Sequence, residues 1–176
     1  MSDRIVIELS KKKIVLLLIA GVAFVIFGCL GAISPDTFVS PLFRSPEFIR
    51  ISGVAAVTFF GIGTLFIARK LFDSKPGLII DQNGITDNSN AIGIGLIEWQ
   101  DITRIQRIEI VSTKILILHI NKPEKYIERA KSYIVKKAML TNQKMYGSPI
   151  SITSNSLKIS FEDLETLLKQ ELKKNK

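Results

Sequence analysis

The chain has little with which to perform chemistry. Its 176 residues include one cysteine, one histidine and one tryptophan. A lone Cys29 excludes an internal disulfide and reads as a small packing residue. His119 has no second histidine and no nearby cysteine for a metal site, so it reads as an ordinary strand residue. The hydroxyls of Ser112, Thr113 and residues 151–156 have no general base in sequence reach and read as turn residues. Gly93-Ile94-Gly95 lacks the third glycine and the following helix of a dinucleotide fingerprint. No catalytic, cofactor-binding or metal-binding residue is therefore expected, and no enzyme.

Charge is missing where its absence says most. Residues 14–33 and 51–68 contain no Asp, Glu, Lys, Arg or His. At ~1.5 Å per residue these runs would extend roughly 30 Å and 27 Å as helices, about the thickness of a bilayer's hydrocarbon core. Ion and proton pathways usually need ionisable groups at that depth, which argues against a transporter or pump. The small residues Gly21, Gly28, Ala32, Gly53, Gly61 and Gly63 suit close packing of the two helices on each other. A transmembrane hairpin over 11–72 is expected, with spans at about 14–33 and 46–70; Ser45-Pro46-Glu47 supplies the N-cap, first-turn proline and first-turn acid of the second. A lipoprotein signal acylated at Cys29 fits less well. Phe27 is bulky where such a signal wants a small residue, and the apolar run continues past Cys29 to Ile33.

Basic residues then orient the hairpin. Arg4 and Lys11-Lys12-Lys13 precede it and Arg69, Lys70 and Lys75 follow it, while Arg44 and Arg50 in the connecting loop are balanced by Asp36 and Glu47. Cytoplasmic flanks are rich in Lys and Arg, so both termini are expected in the cytoplasm. Phe38, Phe43 and Phe48, among Pro35, Pro41 and Pro46, are expected at the outer interface. The net charge of +8 follows this topology, and nucleic acid is not an expected partner.

Outside the hairpin the pattern is that of a soluble α+β domain. Ile5, Ile7 and Leu9 alternate with Arg4, Val6 and Glu8, a strand over residues 1–10 that cannot be stable alone and should join the sheet of the domain at 73–176. There, strands at 78–81, 85–87, 91–97, 105–111, 114–120 and 150–153 come at short spacing, with turns at Asn83-Gly84 and 88–90, which indicates an antiparallel meander. Trp99 reads as a core anchor. Ser160 and Asp163 open a last helix whose Phe161, Leu164, Leu167, Leu168 and Leu172 should cap the sheet. Between Pro123 and Tyr146, Tyr126, Ile127, Ala130, Tyr133, Ile134 and Ala138 recur at helical spacing, predicting one basic amphipathic helix. Its Lys125, Arg129, Lys131, Lys136 and Lys137 are candidate contacts for anionic lipid headgroups, against the alternative of a solvated face.

The order Gly77-Leu78-Ile79-Ile80, Gly84-Ile85, Ile97-Glu98-Trp99-Gln100-Asp101-Ile102 and a closing amphipathic helix resembles the bacterial pleckstrin-homology-like domains of small membrane proteins. With Ile7-Glu8-Leu9-Ser10-Lys11-Lys12-Lys13 leading into two spans, nearly the whole chain is similar to one uncharacterised bacterial family. The resemblance implies a pleckstrin-homology-like curved sheet or barrel with a C-terminal capping helix, displayed at the cytoplasmic face of a bacterial inner membrane. It implies no activity. The expected function is a membrane-tethered binding or scaffold module, whose partner would be lipid, an unknown protein or itself; the alternative is a structural subunit that self-associates in the membrane without a small ligand.

Overall fold

A computed structural model describes residues 4–41, 43, 45–89 and 93–176. Arg44 in the loop, and Asn90, Ala91 and Ile92 at the expected turn and strand start, lie outside the described residues. The chain divides into two compact units, Lys11–Asp73 and the remainder, residues 1–10 with 74–176.

The first unit is a helical hairpin of α1 (Lys11–Ile33) and α2 (Pro46–Leu71). Helix α2 begins as its sequence dictates: the Ser45 side chain accepts from the Phe48 amide at 3.3 Å and Pro46 occupies the first turn. Helix α1 begins three residues before its apolar run, so its three lysines form the first turn, where the helix dipole disfavours them. Lys11 answers this by donating to the carbonyls of Leu71 and Asp73, at the terminus of α2 where carbonyls lack helical partners. The helices approach closely where glycines meet. A Cβ on Gly53 would stand 2.6 Å from the Ala32 nitrogen and 2.7 Å from the Gly28 carbonyl oxygen, so no larger residue fits without separating them. Further along, Phe24 and Phe60 stack with ring centroids 4.4 Å apart. The outward sides are apolar and open: only 17% of the most apolar stretch of α1, and 6% of that of α2, is buried.

The second unit contains two antiparallel sheets. One has the order β1 (Ile5–Ile7), β2 (Leu78–Asp81), β3 (Gly84–Asp87), β4 (Gly95–Glu98); the other β5 (Ile102–Ile110), β6 (Thr113–Ile120), β7 (Ile150–Ile152). Period-two alternation sets the register. Ile7 pairs with Leu78 and Ile80 with Ile85, which pairs in turn with Ile97, and all are buried. The β2–β3 turn needs Gly84, since a Cβ there would stand 2.0 Å from the Ile97 carbonyl oxygen. Beyond β1 the chain stays attached, through a bridge of Leu9 to Leu157 and a 2.7 Å bond from the Ser10 amide to the Ser156 carbonyl. Trp99, 3% exposed in a 3-10 turn after β4, donates its indole N–H to the Asp81 carbonyl at 2.8 Å. The last helix, α5 (Phe161–Lys174), is capped by Ser160 and packs on β5 with Phe161, Leu164, Leu168 and Leu172 buried.

Changing Ile7 to Asp should destabilise this unit by about 2–3 kcal/mol, because a carboxylate would face the core, while fraying of a three-residue edge strand lets it partly reach water. Faster amide exchange across residues 78–87 of the full chain is the expected result. Unchanged exchange there would show that β1 contributes nothing to the sheet.

Candidate functional site

The basic segment after β6 is not one helix. It is α3 (Pro123–Ile127), a turn over residues 128–132, and α4 (Tyr133–Tyr146). The break corrects the single helix expected from the periodicity, and its cause is local. Ser132 is extended, with φ −153° and ψ 159°, and its hydroxyl accepts from the Val135 amide at 3.3 Å, so α4 starts afresh with its own cap. The apolar stripe changes sides at the break. Tyr126 and Ile127 are buried, whereas Tyr133 and Ile134 are 78% and 72% exposed and α4 instead buries Met139.

In α3 the basic residues turn inward onto carboxylates. Asp101, fully buried in the 3-10 turn after β4, receives Lys125 Nζ at 2.6 Å and the Tyr126 hydroxyl at 2.8 Å on one oxygen, and faces Lys122 Nζ at 3.2 Å with the other. Lys125 also donates to Glu98 at 2.6 Å, and the Tyr126 hydroxyl accepts from the Glu98 amide at 3.2 Å. Arg129 donates to the Leu96 carbonyl at 2.7 Å, lies 3.7 Å from Glu98 Oε1, and covers the Tyr126 ring at 4.9 Å. Burial works to raise the Asp101 pKa, but hydrogen bonds from Lys125, Tyr126 and Lys122 outweigh it and hold the carboxyl at about 2. The same bonds to Asp101 and Glu98 raise the Lys125 pKa, so its amine stays an ammonium with no lone pair for nucleophilic or base chemistry. The cluster is a clamp that fixes α3 to the end of β4.

In α4, and at Lys131 in the turn just before it, the basic residues point out. Lys131, Lys136, Lys137 and Lys144 are exposed, and none has an ion-pair partner among the described residues. The helix carries no Asp or Glu. Between the lysines stand Tyr133, Ile134, Leu140 and Met145, all at least 49% exposed. A shallow depression of about 520 Å³ follows this face past Tyr133, Ile134, Lys137 and Thr141. The structure thus divides the five basic residues expected on one lipid-facing surface: Lys125 and Arg129 belong to the clamp, and Lys131, Lys136 and Lys137 to the open face. Sequence reading missed Asp101, Glu98 and Tyr126 as the reason, since acid and base are 24 to 27 positions apart. It also missed Lys144 and the exposed apolar residues as part of the surface.

Other places offer less. His119 has Nε2 2.9 Å from Gln106 Oε1, and burial together with the nearby Arg104 lowers its pKa. Among the described residues no group of three or more His, Cys, Asp or Glu side chains could hold a metal ion. At the loop end of the hairpin an apolar cleft of about 640 Å³ is lined by Phe24, Phe27, Phe38, Phe43 and Phe48, and among the described residues that line it Ser52 has the only polar side chain. No family model, curated protein or solved structure matches the chain.

Proposed function

We propose that the chain is a membrane-tethered binding or scaffold module whose sheet domain works at the cytoplasmic face of a bacterial inner membrane. The observation that carries this reading is the open apolar surface of α1 and α2. A hairpin serving as the core of a soluble protein would bury its helices, whereas these bury only 17% and 6% of their most apolar stretches, as helices in hydrocarbon do. Connectivity supports an even number of crossings. Strand β1 precedes α1 and its partner β2 follows α2, so the outer ends of the hairpin belong on one side of a bilayer. The basic residues at those ends, Arg4, Lys11 to Lys13, Arg69, Lys70 and Lys75, favour the cytoplasmic side. Sheets of four and three antiparallel strands with a closing helix support the pleckstrin-homology-like reading of the domain.

The alternative, a subunit that assembles laterally, draws on Gly61 and Gly63, where an added Cβ would meet no atom within 4 Å among the described residues, which leaves small residues available to another helix. In-membrane crosslinking separates the two: a discrete species with another protein supports the module, and a ladder of homo-oligomers supports assembly. A reporter fused after Lys176 should be active only in the form that reads cytoplasmic location. An externally active reporter would overturn the orientation.

A further inference from the structure

We propose that the outward face of α4 is a membrane-docking surface that lies on the anionic headgroups of the same leaflet from which the domain is tethered. The inference rests on the membrane reading above and adds the partner of one surface. Three observations converge on it. Lys131, Lys136, Lys137 and Lys144 are exposed, without ion-pair partners among the described residues and with no acid anywhere in α4, so the face complements a negative surface. Tyr133, Ile134, Leu140 and Met145 stand among them, exposed by 78%, 72%, 49% and 63%. An apolar set interleaved with lysines is what the headgroup region accepts: the apolar groups enter the acyl boundary and the long lysine stems keep their ammonium groups at the phosphates.

The third observation separates this face from the rest of the basic segment. Lys122, Lys125 and Arg129 are held by Asp101 and Glu98, so the charge left for an external partner is confined to the stretch from Lys131 to Lys144. Exposed Glu124 and Glu128 lie before that stretch and fix its boundary, since both would be repelled by anionic lipid. β7, on which α4 packs, brings no acid to it. A soluble acidic protein could match the charge, but the tether favours lipid. Residues 72–77 connect α2 to β2 and span at most about 20 Å when extended, so an attraction too weak to recruit a free domain acts at high effective concentration.

The test uses the full chain in vesicles of phosphatidylcholine alone or mixed with phosphatidylglycerol. Met145→Cys in a Cys29→Ser background places an environment-sensitive fluorophore on the α4 face. In anionic vesicles its emission should shift to the blue and be quenched by lipid-borne quenchers; in neutral vesicles, or in anionic vesicles at high salt, it should do neither. Each basic residue near an anionic surface is worth about fivefold in such an equilibrium, so combining Lys131→Glu, Lys136→Glu, Lys137→Glu and Lys144→Glu should weaken docking by at least ~100-fold. The comparisons of lipid and salt need no charge reversal and stand even if that variant folds poorly. A probe that ignores lipid charge while the protein resists alkaline carbonate extraction overturns docking and leaves the membrane reading intact. Burial of the probe that follows the protein-to-lipid ratio instead of lipid charge overturns it in favour of a second copy. Release by carbonate overturns the membrane reading, and docking with it.

Discussion

Replacing Trp99 with Ala should lower the stability of the sheet domain by about 3–5 kcal/mol, the cost of emptying a large aromatic site that the surrounding chain cannot refill. Trp99 is 3% exposed, and it does two things at once. Its ring fills the core beside β4, and its N–H satisfies the Asp81 carbonyl at the end of β2. Trp99→Phe separates the two roles: the ring is largely kept, the Asp81 carbonyl loses its donor, and about 1 kcal/mol is expected. Denaturant unfolding of the full chain, followed by amide exchange in residues 78–120, measures both. A loss well under 1 kcal/mol for the alanine variant would mean that the site collapses around the gap and that the indole anchors nothing.

Asp101→Ala should cost about 3 kcal/mol, the lower end of what breaking a buried ion pair costs, because Lys122 and Lys125, left without their shared carboxylate, are partly exposed and can turn to water. The loss should fall on α3 and spare α4, whose cap does not involve the clamp. Protonation provides a second reading of the same bond. The carboxyl has a folded pKa of about 2, below its ordinary 3.8. Its contribution is therefore complete above about pH 4 and disappears as the pH falls toward 2. Glu8, Glu98 and Glu162 are lowered in the same direction by Lys158, Lys125 and Lys114, so the comparison must be a difference. Asp101→Asn should flatten the acid limb of the stability curve relative to the parent. Parallel curves would show that Asp101 titrates alike folded and unfolded, and the clamp would then be no source of stability.

Local signals made most of the elements legible. Alternation identified β1, since Ile5, Ile7 and Leu9 can share a face only in a strand. Ser45-Pro46 and Ser160 with Asp163 marked the starts of α2 and α5 to the residue, because a cap is a bond between near neighbours. The lysines of α1 read as flanking charge, although nothing in their sequence prevents helix; the carbonyls that receive Lys11 come from residues 71 and 73. The basic segment shows the limit most clearly. Helical spacing runs unbroken from Tyr126 to Ala138, yet Ser132 is a good cap residue and restarts the helix there. Once it does, the stripe that buries Tyr126 cannot also bury Tyr133. The division of basic residues between clamp and surface was invisible for a similar reason, because only the fold brings Asp101 to Lys125.

The strand pairing that brackets the hairpin also has a meaning for the chain as a polymer. Joining β1 to β2 closes a loop over residues 8–77. For a flexible segment of that length the closure entropy would oppose folding by about 4 kcal/mol. Here the loop is already closed from within: α1 and α2 pack along their length, and Lys11 fastens the beginning of one to the end of the other. Most of that entropy is thus lost when the helices associate, before the sheet forms. The Gly28–Gly53 approach therefore acts on the sheet through the chain itself. A bulky side chain that splays the helices would restore the loop's freedom and weaken the β1–β2 seam, and synthesis from the N-terminus would leave the first strand waiting, unpaired, until the hairpin had closed behind it.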